Sequence, residues 1–367
     1  MSKTLRIYAL GGNQVSPTGQ RDPKTGKQII PDIPMQWQRS SKTMDMIAGI
    51  IEETPDDYHV VTHGNGPQVG NILLRSEYAK DILHPIPLDV CVADTQGSMG
   101  YMLAQLTNSL HLRGIDRVAV ESVTQVLVDG NDPAFNNPTK FIGSAMSKDQ
   151  AIGNSKKEGY QVKLYKKDDQ GEEIWRRVVA SPVPIDLIEI EVVEAMLRSG
   201  IIPISVGGGG IPVVSVEPVI DGNEEAFICN HEVTYRRDKG VTEKSLPIYT
   251  GVEAVIDKDL ASALLGNILI DRAKVRGEDL KGIFTIFTDV DGAKLNFQKP
   301  DQVELRKLTV AEAEDLIDQG KFPEGSMGPK IKAAINFVKN GGEKSFITKV
   351  DLFQETLEGK AGTVIVP

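Results

Sequence analysis

Two cysteines among 367 residues, Cys91 and Cys229, are too few and too far apart for a disulfide framework, a metal-ligand cluster or a redox pair. A reducing cytoplasm is the expected compartment. Positive charge is also in short supply. The chain has 41 Lys and Arg against 51 Asp and Glu, a formal net charge of −10, which argues against a nucleic-acid surface. No segment approaches the roughly 20 apolar residues needed to span a bilayer. The longest apolar stretch, Ile201 to Val214, is interrupted by four glycines and reads as a buried strand and a loop. The run from Met1 to Gly11 moves straight into a strand pattern and lacks the apolar core of a signal peptide. Neither a GxxxxGK[ST] loop nor a kinase glycine-rich signature occurs, which excludes a P-loop enzyme. Internal repeats and low-complexity tracts are absent as well.

What the chain does have is glycine at strand ends. Four loops stand out: Gly11-Gly12-Asn13, His63-Gly64-Asn65-Gly66-Pro67, Gly207 to Gly210, and Gly325-Ser326-Met327-Gly328-Pro329. Bare backbone lets N–H groups approach an anion, and a following helix N-terminus adds favourable partial charge. Four such loops point to a polyphosphate site. In an acidic chain the cations must be concentrated locally, which draws attention to Lys140, Lys258 and Lys330. Each, taken alone, reads as a surface lysine. Lys330, however, falls in the first turn of a predicted helix, where a cation opposes the dipole and needs a compensating anion. His63 reads as a structural hydrogen-bonder rather than a base, and Asn65 as a donor to a small acceptor. The glycine tetrad is hard to explain by packing alone. Asp289 and Asp291 either approach Mg²⁺ or a nucleotide or simply cap a turn.

Short apolar strands alternate with helical periodicity, the pattern of a largely parallel α/β sheet. Strands are predicted at Leu5–Leu10, Tyr58–Thr62, Arg117–Val128 and Gly282–Thr288. Helices are predicted around Met44–Ile51, through Met99 to Leu110, over Glu189–Arg198, from about Asp259, and through Ile331 to Val338. Thr309 with Glu312 forms a capping box for a further helix. Residues 129–180 break the rhythm and read as a β-rich flap. Residues 215–249 read as a surface insertion. In such sheets ligands bind beyond the carboxyl ends of the strands, where these loops fall.

Taken together, these residues are similar to the carbamate kinases of the amino-acid kinase superfamily. The matching stretches are ALGGN at 9–13, VVTHGNGPQVGN at 60–71, PLDVC and TQGSMGY within 87–101, NPTK at 137–140, RRVVASPVPID at 176–186, GGGGIPVV at 207–214, GVEAVIDKDLAS at 251–262, TDVD at 288–291 and PEGSMGPKIKAAI at 323–335. They run in order along almost the whole chain. The resemblance implies an α/β amino-acid kinase fold: an open, mainly parallel sheet flanked by helices, in two lobes with a small protruding flap. Residues 1–214 would form the acceptor lobe with the flap at about 129–180, residues 215–249 an insertion, and residues 250–367 the nucleotide lobe.

The same resemblance implies a cytoplasmic homodimer, without nucleic-acid or membrane partners, that uses Mg²⁺ with ATP or ADP. It would interconvert ATP plus carbamate and ADP plus carbamoyl phosphate, working toward ATP synthesis in the breakdown of arginine or other ureido compounds. Lys140, Lys258, Asp259 and Lys330 would be catalytic. Gly11, Gly12, Asn13, Gly64, Asn65, Gly66, Gly208 and Gly209 would hold carbamate and the γ-phosphoryl. Asp289, Gly325, Ser326, Met327 and Gly328 would hold the nucleotide; the metal ligands are not assigned. Three stretches depart from the family pattern: Gln14–Trp37 and Ser215–Tyr249 are longer than usual, and Val92-Ala93-Asp94 replaces the usual small-and-methionine run before TQG. The first follows the carbamate loop, which leaves a different small carboxylate or carbamate-type acceptor as the alternative. A nucleotide-binding regulator that docks a partner through the insertions is a reading of another class.

Overall fold

The structure, a computed structural model, describes residues 3–17, 31–168, 171–221, 224–238, 246–323 and 326–367. Its centre is an eight-stranded sheet in the order Lys307–Thr309, Thr363–Val366, Lys344–Thr348, Leu280–Phe287, Lys3–Leu10, Tyr58–His63, Ile202–Ile204 and Ala119–Glu121. Every neighbouring pair runs parallel except Lys344–Thr348 with Thr363–Val366. Strands from residues 1–204 fill one side of the sheet and strands from residues 280–367 fill the other. They meet at the pair Lys3–Leu10 and Leu280–Phe287.

Both faces of this sheet are covered, which is why its central strands are almost continuously buried instead of alternating between core and solvent. Along Lys3–Leu10, Leu5, Ile7 and Ala9 join one core with helices Lys258–Val275 and Met327–Lys339. Tyr8 and Leu10 join the other with helices Ile33–Glu53 and Leu88–Leu103. Each such buried Leu or Ile contributes about 1.5–3 kcal/mol relative to exposure. Register does the rest. Leu10 lies opposite both Phe287 and His63, so three strands end level and release three loops at one edge.

The region 117–128 corrects the expected single strand. Ala119–Glu121 closes the main sheet, whereas Gln125–Val128 belongs to a second, four-stranded sheet with Ile211–Val216, Ile248–Gly251 and Pro184–Leu187. Gln96 causes the break: its side chain accepts from the Thr124 amide at 3.0 Å and donates to the Thr124 carbonyl at 3.2 Å. The helix expected through Leu110 also divides, into Leu88–Leu103 and Leu106–His111.

The flap is a three-stranded antiparallel sheet of Lys140–Met146, Glu173–Val179 and Val162–Lys167. It also holds a helix, Lys148–Glu158, that hydrophobic periodicity could not reveal because only Ala151 is buried. Its signal is the capping box of Ser147 and Gln150. Between 215 and 249 the chain leaves Ile211–Val216, forms the antiparallel strands Val219–Asp221, Glu224–Ile228 and Thr234–Asp238, and returns to pair with its starting strand. Of the long segment 14–37, residues 18–30 lie outside the described ones. Its end is the capped start of helix Ile33–Glu53, where the Asp32 carboxylate accepts from the Met35 amide at 2.8 Å.

Phe337 joins the second-half helices to the sheet. It is fully buried, its ring centre lies 5.4 Å from that of Phe284, and Gly266, Gly282 and Gly342 each leave the space it fills. Phe337→Ala is therefore expected to cost about 3–5 kcal/mol in urea unfolding. A loss below about 1 kcal/mol would show that this contact does not anchor the lobe.

Candidate active site

The three level strand ends open on a cavity of about 560 Å³. From the strand Lys3–Leu10 come Gly11, Gly12 and Asn13. The Gly11 amide extends the ladder to the Phe287 carbonyl at 3.1 Å, and a β-carbon there would press on that oxygen. From Tyr58–His63 come Gly64, Asn65 and Gly66, and helix Gly66–Ala79 starts at the cavity wall with its positive dipole end facing in. From Leu280–Phe287 come Thr288 and Asp289. The loops of the two chain halves are tied across the gap: Asn13 donates to the Asp289 carboxylate, and Gln14 donates to the same group at 3.2 Å.

Helix Lys258–Val275 begins inside the cavity, and its first residues form the charged centre. Asp257 caps it, one carboxylate oxygen accepting from the Asp259 amide at 2.9 Å while the other takes Lys140 from the flap at 2.7 Å. Asp259 is only 2% exposed and receives two ammonium groups, Lys258 on one oxygen and Lys330, at 3.0 Å, on the other. Lys330 thus finds the anion that its place near the start of helix Met327–Lys339 requires. Burial penalises the charge on Asp257 and Asp259, yet the surrounding lysines outweigh it and hold both carboxyls below the usual range. Burial also depresses Lys258, the deeper lysine, below an ordinary lysine despite Asp259. For Lys330 the same burial is overcome by Asp259 and Asp257, and its pKa is raised.

Of the residues expected at the site, Lys140, Lys258, Asp259, Lys330, Gly11, Gly12, Asn13, Gly64, Asn65, Gly66, Gly208, Asp289, Ser326 and Met327 line this one cavity. Gly325 lies outside the described residues. Gly209 and Gly328 do not reach the cavity. Gly209 has φ +98° and lies against the Ile256 carbonyl; Gly328 turns its amide to the Pro323 carbonyl at 3.0 Å.

The tetrad as a whole needs correction. Gly207 packs on His63, Gly210 on Val126, and φ is positive at Gly208, Gly209 and Gly210, so packing and backbone geometry account for most of it. Gly208 alone faces the cavity, and it also covers the Asn65 amide, which donates to Thr95 at 2.8 Å. Asp291 turns away to pair with Arg306 at 2.9 Å. The sequence reading missed Tyr165, Arg176, Lys294 and Phe297, which also line the cavity. Arg176 falls in the matching stretch 176–186 without its role being visible there, and nothing in the spacing of the others marks them, since folding brings them together from segments remote in sequence.

Main-chain turns and paired lysines at the carboxyl edge of a mainly parallel sheet make this an α/β protein with a cavity built for anions. No protein-family model matches the chain. It is 40% identical over 365 residues to the carbamate kinase of Thermococcus kodakarensis, and 40% identical over 366 residues to that of Pyrococcus horikoshii; in both, 98% of each chain is covered. The structure of Giardia lamblia carbamate kinase bound to AMP-PNP superposes with a TM-score of 0.74 at 32% identity, covering 99% of this chain and 98% of that one. The chain belongs to the carbamate kinase family, and its activity is that family's: phosphoryl transfer with carbamate as acceptor.

His63 stands behind this centre as a neutral structural group. Burial, with a smaller contribution from Lys258, lowers its pKa from 6.5 to about 4 against the Gly64 carbonyl contact. Below about pH 6.5 the unfolded chain therefore takes up a proton that the folded chain refuses, and stability falls as pH drops toward 4. Removing this group in His63→Gln should flatten the dependence of unfolding free energy on pH between about pH 6 and 5, by up to about 1.4 kcal/mol per pH unit. An unchanged slope in urea titrations would contradict that assignment.

Proposed function

We propose that carbamate and the transferred phosphoryl group lie between the Gly11–Asn13 and Gly64–Gly66 turns, with Lys258 and Lys330 on either side and the nucleotide toward Asp289, Ser326 and Met327. Residues 1–214 then form the acceptor lobe and residues 250–367 the nucleotide lobe. The observation that carries this reading is the shared Asp259 carboxylate, which fixes two ammonium groups side by side in a buried cavity. Lys140, held on Asp257, adds a third cation from the flap.

A carbamate oxygen attacks the γ-phosphorus in line. A new P–O bond forms as the bond to the ADP oxygen breaks, and the reverse step returns the phosphoryl to ADP. Both partners are anions, so repulsion and misalignment are the obstacles, and fixed cations with backbone donors address both. Asp259 positions the lysines without touching phosphorus. The protein contributes no nucleophile, and no covalent intermediate forms.

Among the described residues no three His, Cys, Asp or Glu side chains gather to hold a metal ion unaided. We propose that Mg²⁺ enters with the nucleotide, since this ion keeps phosphate and water ligands and needs only one or two carboxylates. Asp289 is the carboxylate placed to contribute one. The ion would supply further neutralisation of phosphate charge. We place the physiological direction toward ATP synthesis from carbamoyl phosphate, in a cytoplasmic homodimer that serves the breakdown of arginine or other ureido compounds. Support for the dimer is the uncovered edge strand Ala119–Glu121, beside which Val118, Val120 and Tyr101 expose apolar surface.

With Mg²⁺, ADP and carbamoyl phosphate should yield ATP. Lys258→Ala should lower kcat by at least about 10²-fold, the loss typical of removing a transition-state donor. Wild-type turnover in that variant would sink the mechanism. Turnover on acetylglutamate or aspartate but not on carbamoyl phosphate would instead favour the other acceptor class.

A further inference from the structure

Lys140 is not the only cation the flap sends into the cavity. Arg176, on Glu173–Val179, and Tyr165, on the neighbouring strand Val162–Lys167, line it as well. The Arg176 guanidinium lies over the Tyr165 ring at 5.1 Å, and one terminal nitrogen donates to the Gly143 carbonyl at 2.7 Å. Its Nε is buried and has no partner. The other cations of the cavity are all ion-paired: Lys140 with Asp257, Lys258 and Lys330 with Asp259, and Lys294 with Glu304 at 2.8 Å. The adjacent Arg177 is paired too, with Glu77. Arg176 has no carboxylate among the described residues. Burial pulls its pKa below the ordinary arginine range, only partly offset by Tyr165.

An enclosed guanidinium without a countercharge is costly, and it is the side chain best suited to grip phosphate oxygens with a planar fork. Its placement is not loose. Gly143, whose carbonyl it holds, is pressed backbone to backbone against Gly70 of the helix that starts at Gly66. The guanidinium is thereby referenced to the turn where the transferred group sits.

We propose that Arg176 is a further substrate-binding residue, which takes an oxygen of the transferred phosphoryl group, the γ-phosphoryl of ATP or the phosphoryl of carbamoyl phosphate. This rests on the phosphotransferase reading above. The Tyr165 face and the Gly143 carbonyl orient the fork, leaving its remaining terminal N–H donors for the anion.

The test is steady-state kinetics of Arg176→Gln and Arg176→Lys in the ATP-forming direction, with thermal unfolding of each. Arg176→Gln should raise KM for carbamoyl phosphate about 10- to 100-fold, the range of a lost charged hydrogen bond, while KM for ADP stays within about twofold. Arg176→Lys, which keeps the charge but not the fork, should fall between. Guanidinium ion should restore part of the activity of Arg176→Ala. The proposal is overturned if KM for carbamoyl phosphate does not move. It is equally overturned if both KM values rise together with a lowered melting temperature in all variants, which would make Arg176 a strut of the flap. A wild type unable to make ATP from carbamoyl phosphate would remove the underlying reading, and this one with it.

Discussion

Two ammonium groups sharing the carboxylate of Asp259 are the arrangement on which the rest of the site depends. Lysines side by side would repel each other if left alone in a poorly solvated cavity, and each would tend to shed its proton. Asp259 removes that difficulty by accepting Lys258 on one oxygen and Lys330 on the other. A buried carboxylate is itself expensive, and it is tolerated because two charged donors and the start of a helix surround it. The burial of acid and bases is therefore mutual. Removing any one member would leave the others with an uncompensated charge.

The same logic extends to Asp257, which serves two structures at once. As cap of helix Lys258–Val275 it fixes the backbone that carries Lys258 and Asp259, and as partner of Lys140 it tethers the flap. Local helix geometry and long-range domain placement thus share one side chain. This explains how a chain with a net charge of −10 handles anions. The positive charge is concentrated where three short segments, distant in sequence, converge on a single helix start, and the acidic excess elsewhere leaves that concentration untouched. It also supplies partners that keep the lysines charged and directed.

The sheet provides the rigid frame for this convergence. Parallel register places the ends of Lys3–Leu10, Tyr58–His63 and Leu280–Phe287 at one level, and the two chain halves meet along the first and third of these strands. Bonds from Asn13 and Gln14 to Asp289 then cross that seam above the sheet. Residues from both halves line the cavity. The glycine tetrad serves the frame: bare backbone at Gly207 and positive φ at Gly208, Gly209 and Gly210 let His63, Asn65, Ile256 and Val126 pack against main chain where any side chain would intrude. Close approach of protein to protein produces the same sequence signature as close approach of protein to phosphate, and composition cannot separate the two.

Much of this was open to inspection in one dimension. Strand and helix alternation, the glycine turns at strand ends, the capping box at Thr309 and the need of Lys330 for an anion all follow from properties that a residue carries with its immediate neighbours. The segment Arg117–Val128 did not follow, because its break is imposed by Gln96 from another helix. Nor did the helix Lys148–Glu158, whose surface position leaves no apolar stripe. Tyr165 was equally hidden, and Arg176, though it lies in a matching stretch, showed no role there, since antiparallel pairing in the flap delivers both to the cavity. The amino-acid sequence alone determined the alternating elements, the anion-seeking turns and the identity of the charged residues. Only the tertiary structure decided which charges are neighbours, because a pairing such as Lys330 with Asp259 spans 71 residues and is created by folding, not by adjacency.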